Sequence, residues 1–474
     1  MKTIFKILIK SCLLGIMIIG IYAGLARVFY NREVDRGQNF HSLPENSMDV
    51  FVLGSSHAQY GFQPSFFHGE TGLYSYVMGS ACQPLEVAVQ MLKEGLKTQH
   101  PKLVMLEVFT ALPLRSVCHA PSCYVMAGYQ MRGEEKLKTF SYLEAEKAQT
   151  YENDFLIHHN DWKNIKNFDY FKPEYWKKDT QALDFNFGYV YQQANYPIHG
   201  YWEEQRYETI PRRELRPIDQ ESLNTIKKIC DENKISLLLF KTPIDGMDEE
   251  NQAYLDAVWR WAQANKVAYR DFVREDEQIG FALQVHADSY HAYVHGAAIL
   301  THELAKTVLE KDYPFNHRPQ EELDKLYAEA DNIYTWEALQ SERDPIHILQ
   351  RLKQAKGISF LSFRGYPEPQ KEELNQALQQ LSGQKLDFYK PFQAIFEDGR
   401  LVAVLEEEKT QVLGGHTFTL TSELLRVDKQ EIPLRDELLF HYWNTEGKQL
   451  EHRWDLATLK WYGNVFDYNP YIVE

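Results

Sequence analysis

Residues 49–57 read Asp49-Val50-Phe51-Val52-Leu53-Gly54-Ser55-Ser56-His57, an apolar run closed by a glycine, two hydroxyls and an imidazole. A short continuous apolar run bounded by turn residues is the pattern of a buried strand. Comparable runs recur at 73–78, 102–108, 235–241 (Ile235-Ser-Leu-Leu-Leu-Phe-Lys241) and 267–271, while helical periodicity fits 84–98, 219–233, 248–265 and 293–310. Strands separated by helix-length segments predict a parallel sheet with helices on both faces, a three-layer α/β sandwich of flavodoxin-like type. Sites of such sheets lie at the carboxyl edge of the strands, which is where Gly54-Ser55-Ser56-His57 falls.

Some 230 residues later, just before the last predicted helix of this region, the chain reads Asp288-Ser289-Tyr290-His291. The two stretches together supply a serine, a base and a carboxylate. A serine hydroxyl is a weak nucleophile near neutral pH and needs an imidazole to take its proton, and the imidazole needs an acid to fix its tautomer. Ser56, His291 and Asp288 are therefore the candidate catalytic residues. Each half alone has a plainer reading, as a strand-ending turn or as a helix cap beside an exposed histidine. Order, spacing and strand context join them. His57 either assists or packs; His286 and His295 flank the second stretch as exposed or structural residues, and His158 and His159 receive no role.

With these residues in view, the chain resembles the SGNH/GDSL hydrolase superfamily, whose first block is Gly-Asp-Ser and whose last is Asp-x-x-His. It is most similar to a membrane-anchored branch in which the first block reads Gly-Ser-Ser and the last is followed by Gly-Ala, here Gly296-Ala297. That branch includes the D-alanyl transfer protein of teichoic acid modification and other partners of membrane-bound O-acyltransferases. The resemblance covers residues 48 to about 311 and implies Ser56 as nucleophile with Asp288 and His291. Val77-Met78-Gly79-Ser80 matches the second block, which implies the backbone N–H groups of Ser56 and Gly79 as oxyanion donors. Pro101–Phe109 matches the third strand. The chain departs from the hydrolase pattern in two places. Ser55 stands where the superfamily has an acid, and the third block lacks the Gly-x-Asn-Asp whose Asn donates to the oxyanion. Glu107 stands near that place as a possible substrate-site residue. Loss of one such donor costs on the order of 3 kcal/mol of transition-state stabilisation, and the substitution agrees with the transferase-like branch.

A length of 474 residues implies two or three units. The formal charge of −16 and a pI near 5.6 speak against nucleic acid as a partner. At the amino terminus Lys2, Lys6 and Lys10 precede Ser11–Ala26, 16 residues without a charge, ahead of Arg27. Residues 1–30 thus read as a membrane anchor or signal segment. The three lysines place the amino terminus in the cytoplasm and the body outside, and Val28-Phe29-Tyr30 extends the apolar stretch if Arg27 snorkels. These features favour a retained anchor; cleavage near Gly24-Leu25-Ala26 would instead give a secreted protein.

Residues 31–47, polar and broken by Gly37 and Pro44, read as a stalk, and 48–311 as the catalytic domain. An aromatic-rich insertion spans about 110–217, either a lid or substrate groove beside the site or a packed cap. Within it, Arg212, Arg213 and Arg216 meet an anion or, with Glu214 among them, form a solvated face. Cys118 and Cys123 read as a disulfide or, less well, as metal ligands. Residues 312–343 are charged and helix-prone and read as a connector. Residues 344–474 read as a smaller α+β or β-rich domain: helices at 344–355 and near 370–381, strands at 357–363, 392–396, 401–405, 417–420, 438–443 and 448–454, and a hairpin turn at Asp398-Gly399. Trp443, Trp454 and Trp461 would suit sugar rings if exposed, and core if buried.

The sequence thus leads to a membrane-anchored, extracytoplasmic enzyme that transfers an O-acyl group to a cell-envelope glycan, or removes one, through an acyl-Ser56 intermediate. No cofactor or metal is implied. The expected partners are the glycan or acyl donor and a membrane-bound O-acyltransferase. The rival reading is a non-catalytic envelope protein that binds a glycan or such a partner.

Overall fold

The central parallel sheet is built from β1 (Val50–Gly54), β2 (Ser75–Gly79), β3 (Leu103–Glu107), β4 (Ser236–Lys241) and β5 (Ala268–Asp271). The computed structural model describes residues 2–28, 33–111, 119–144, 148–151, 187–190, 212–244, 249–275, 279, 291–311, 313, 315, 319–342, 345–353, 355–363, 372–383, 392–405, 410–413, 415–421, 424–434, 437–445 and 448–455. The strand order is β2-β1-β3-β4-β5, with every neighbouring pair parallel. Register is set by Val50 opposite both Ser75 and Leu103, and by Leu103 opposite Ser236. Successive side chains of a strand point to opposite faces, and all of β1, β2 and β3 is buried, so both faces of the sheet are covered. That is why these strands carry no polar alternation. On one face Phe51, Leu53, Met78, Val104, Leu106 and Leu239 share a core with apolar residues of helices 85–95, 217–232 and 249–264. The predicted α/β sandwich and its five strands are present, with ends shifted by one or two residues.

The expected stalk is not one. Residues Glu33–Ser42 form a helix that buries Val34, Arg36 and Phe40. Phe40 packs edge-on against Phe51 and Tyr76, at ring separations of 5.8 and 5.0 Å. This helix meets helix His119–Gly128 at Gly37 and Gly128, where a Cβ on Gly128 would lie 1.9 Å from the Val34 carbonyl oxygen. Gly37 therefore permits a helix crossing and does not break the chain. Ahead of it, helix Lys2–Val28 carries a stretch, Ile4–Gly24, of 21 residues, none of them buried, that is long and apolar enough to cross a membrane or to act as a signal segment. Of the insertion, the described parts include a 3-10 turn at 109–111, helices 119–128, 133–144 and 148–151, and residues 187–190 and 212–217. Cys123 is buried, and Cys118 lies outside the described residues.

The chain divides into two compact units, residues 1–328 and 329–474. The segment read as a connector holds a helix of 21 residues, Glu321–Ser341. Its Leu323 and Tyr327 are buried in the core of the first unit, and its Leu339 in that of the second.

The second unit has a five-stranded antiparallel sheet made of β6 (Gly357–Phe363), β7 (Phe392–Glu397), β8 (Arg400–Val404), β13 (Glu437–Asn444) and β14 (Gln449–Asp455), in the order β14-β13-β6-β7-β8. A four-stranded sheet holds β9 (Thr410–Leu413), β10 (His416–Leu420), β11 (Leu424–Val427) and β12 (Gln430–Pro433). Leu361, Phe363, Leu438 and Phe440 face helices 345–352 and 372–382, while Ile358, Phe360, Leu439 and Trp443 face the smaller sheet. The α+β expectation holds. Trp443 is buried core, stacked on His441 at 4.0 Å, so it offers no face to a sugar. The Trp454 side chain and Trp461 lie outside the described residues.

Candidate active site

β1 ends at Gly54, and the chain turns at once into a short helix, Ser56–Gly61. Ser55 caps it, its hydroxyl accepting the His57 N–H at 3.3 Å. Ser56 is thereby held at the carboxyl edge of the sheet. In a sheet of order 2-1-3-4-5 the connections diverge between β1 and β3, and that switch point is where a crevice forms. Ser56 is 7% exposed, and its Oγ lies 2.9 Å from Nε2 of His291, 235 residues away in sequence. His291 stands three residues ahead of helix Val294–Glu310 and is flanked by the Tyr60 ring, edge-on at 4.9 Å. A hydroxyl and an imidazole at this distance are within hydrogen-bond reach, the geometry that proton transfer between them requires.

Gly79 ends β2 directly opposite Gly54. A Cβ there would lie 2.8 Å from the Ser55 carbonyl oxygen, so only glycine lets β2 close on the Ser55-Ser56 turn. Its own carbonyl accepts a 2.7 Å hydrogen bond from Arg36 of helix 33–42. Asp288, expected as the third catalytic member, lies outside the described residues, as does His286. His295 is buried on helix 294–310.

His57 and Glu107, expected only as possible substrate-site residues, are buried. His57 stacks on Phe109 at 3.8 Å and makes a 2.9 Å contact from Nδ1 to the Thr242 hydroxyl; its ring centre is 5.3 Å from that of His291. Glu107 is 0% exposed. Its carboxylate accepts the Phe109 N–H at 3.0 Å, the Thr242 hydroxyl at 3.3 Å and the Thr242 N–H at 3.4 Å. It also lies 3.4 Å from the equally buried Lys241 ammonium, and the Ser55 hydroxyl reaches it at 3.5 Å, the outer limit of a hydrogen bond. Neither side chain offers a polar atom to a substrate. Desolvation raises the Glu107 carboxyl above its usual range, opposed by Lys241 and the backbone donors. The same desolvation lowers the Lys241 ammonium, opposed by Glu107 and Asp271. The ammonium also lies over the Phe109 ring at 5.2 Å.

Tyr60, Phe109, Lys241 and Thr242 were not singled out from the sequence. A signal for two of them exists: Lys241-Thr242 closes the apolar run of β4 with a charge and a hydroxyl, the same strand-end pattern that marks Gly54-Ser55-Ser56. The arginines of the insertion pair with acids, Arg212 with Glu214 at 3.0 Å and Arg213 with Glu250 at 3.5 Å, while Arg216 binds Asp219.

No family model matches the chain, and no curated protein matches it. Among solved structures it is similar to a candidate acylhydrolase from Bacteroides fragilis, with 10% identity over 58% of this chain and 94% of that one and a TM-score of 0.30. A GDSL-like lipase from Bacteroides thetaiotaomicron matches with 10% identity over 60% of this chain and 99% of that one, TM-score 0.29. A gut microbial diltiazem-metabolizing enzyme matches with 11% identity over 56% of this chain and 47% of that one, TM-score 0.27.

Proposed function

We propose that the protein is a serine-dependent acyl-transfer enzyme of SGNH type, anchored in the membrane by its first helix and acting outside the cytoplasm on an O-acyl group of an envelope glycan. The observation that carries this reading is the 2.9 Å contact between Ser56 Oγ and His291 Nε2 at the switch point of the sheet. His291 takes the Ser56 proton as Oγ attacks the acyl carbonyl; the bond to the leaving alcohol breaks and His291 returns the proton to it. The acyl-Ser56 ester is then attacked by an incoming hydroxyl that His291 deprotonates; the bond from the acyl carbon to Ser56 Oγ breaks, and His291 returns the proton to Oγ. Water as acceptor makes an esterase, a glycan hydroxyl a transferase. Asp288 is the proposed orienting acid for His291, and the N–H groups of Ser56 and Gly79 are the proposed oxyanion donors. A membrane-bound O-acyltransferase is the proposed source of the acyl group, and the apolar helix with Lys2, Lys6 and Lys10 before it supports the outward placement.

The test is intact-mass analysis of the full chain in detergent after exposure to a fluorophosphonate. One adduct, absent in Ser56→Ala and strongly reduced in His291→Ala, is the expected result. Acetyl-ester hydrolysis with and without a glycan acceptor then separates water from sugar. Folded protein that takes up no adduct would overturn the enzymatic reading in favour of a binding role.

A further inference from the structure

The residues on either side of Ser56 hang from one buried carboxylate. On the amino side, Ser55 Oγ reaches Glu107 Oε2 at 3.5 Å while capping the turn through the His57 N–H. On the carboxyl side, His57 Nδ1 lies 2.9 Å from Thr242 Oγ1, and that hydroxyl lies 3.3 Å from Glu107 Oε1. The Thr242 hydroxyl carries one proton and two lone pairs: with His57 protonated on Nδ1 it accepts from the imidazole and from the Lys241 ammonium, at 3.4 Å, and donates to Glu107; with the other tautomer it donates to Nδ1. The stack on Phe109 fixes the plane of the ring, and the Phe109 N–H is itself bound to Glu107. Three strands thus converge on the nucleophile turn: β1 brings Ser55–His57, β3 brings Glu107 and β4 brings Lys241-Thr242.

We infer that Glu107 and Thr242 are positioning residues, which hold Ser56 at hydrogen-bond distance from His291 by fixing Ser55 and His57 on its two sides. The acid missing at position 55 is in this sense supplied from below by β3. Lys241 is the counterion that lets a fully buried carboxylate accept so many donors. This inference rests on the proposed role of Ser56 as nucleophile, and its test separates the two.

The variants are Thr242→Val, which keeps the shape and deletes the hydroxyl, Thr242→Ser, which restores it, and Glu107→Gln. Saturable fluorophosphonate inactivation of the full chain in detergent gives a maximal rate and a half-saturation concentration. Hydrogen–deuterium exchange of the peptide spanning residues 54–60 reports the turn without reference to chemistry. The expected result for Thr242→Val is a tenfold or greater fall in maximal rate, half-saturation within twofold of the parent and faster exchange at 54–60, with Thr242→Ser within threefold of the parent on every measure. Glu107→Gln is expected to behave as Thr242→Val or worse. An unchanged maximal rate in Thr242→Val, or a loss that Thr242→Ser does not restore, would overturn the positioning role. If the parent takes up no adduct, the proposed function fails, and exchange alone decides the rest: loosening of 54–60 in Val but not Ser supports the tether, and identical exchange in all three refutes it.

Discussion

Each unit of this protein buries a carboxylate beside cations, and the two are treated in opposite ways. Glu107 of the first unit meets one ammonium, itself fully desolvated, and burial lifts its carboxyl above the usual range. Glu451 of the second unit is also buried, but it binds His441 at 3.1 Å and the Arg453 guanidinium at 2.7 Å, and these hydrogen bonds outweigh desolvation and lower its carboxyl. Arg453 is in turn tied to the Pro433 carbonyl at 3.1 Å. A guanidinium is less strongly hydrated than an ammonium and stays charged when buried, so it holds a carboxylate ionised where a lysine does so less firmly. The cluster of the second unit is arranged to join strands; that of the first is arranged around a turn bearing a hydroxyl and an imidazole.

The contrast breaks most severely at its centre. Glu107→Ala leaves the Lys241 ammonium buried without its partner, a change that costs about 3–5 kcal/mol when one member of a buried pair is removed. We expect it to lower the melting of the first unit and to abolish Ser56 labelling. Glu451→Ala strands Arg453 in the same way and at about the same 3–5 kcal/mol cost, but labelling of Ser56 should persist. Calorimetry with parallel labelling checks both. Loss of labelling in Glu451→Ala at temperatures where the first unit is folded would erase the distinction.

A milder test uses pH. The carboxyl of Glu451 is lower in the folded than in the unfolded protein, so its stabilisation is present above the unfolded value and is lost as pH falls through the folded one. Glu107 has the opposite sign: its folded carboxyl is raised, so the folded state is favoured while the group is protonated and loses ground as pH rises from the unfolded value to the folded one. Denaturant titrations between about pH 3 and 7, which span the usual carboxyl range, should show stability rising less steeply with pH in Glu451→Gln than in the parent and more steeply in Glu107→Gln. Slopes that move in the same direction would contradict the opposed environments.

These clusters also mark where the sequence stops being legible. The five parallel strands and the helices at 84–98, 219–233, 248–265 and 293–310 follow from apolar runs and periodicity, because burial of whole strands and of helix faces is written into the residue types. Ser56 and His291 follow from strand context. Lys241 and Thr242 are marked only as the polar pair that closes β4; the burial of Lys241 does not follow, because a lysine at a strand end reads as solvated and only the tertiary approach of β3 explains it. The helix at 33–42 is hidden in the sequence because Gly37 looks like punctuation until its partner Gly128 is known. The four-residue strands β9, β11 and β12 are too short for alternation to register.

The smallest predicted effect supplies the exposed limit of the same comparison. His302 and Glu70, on helices 294–310 and 64–71, lie 2.8 Å apart with side chains 55% and 21% exposed. The hydrogen bond that the Glu70 carboxylate accepts from Nδ1 raises the imidazole above its ordinary value. Its contribution is therefore complete below the unfolded histidine value, near 6.5, and is lost as pH rises through the folded one. Water screens a pair this open, so Glu70→Gln should cost no more than about 0.5 kcal/mol at pH 5.5 and nothing measurable at pH 9, and the difference should shrink in high salt. A cost of several kcal/mol here, comparable to that at Glu107 or Glu451, would mean that partner charge alone sets the energy of these contacts. The expected ordering assigns it to burial, which makes an uncompensated charge expensive under the Ser55-Ser56 turn and inconsequential on the surface.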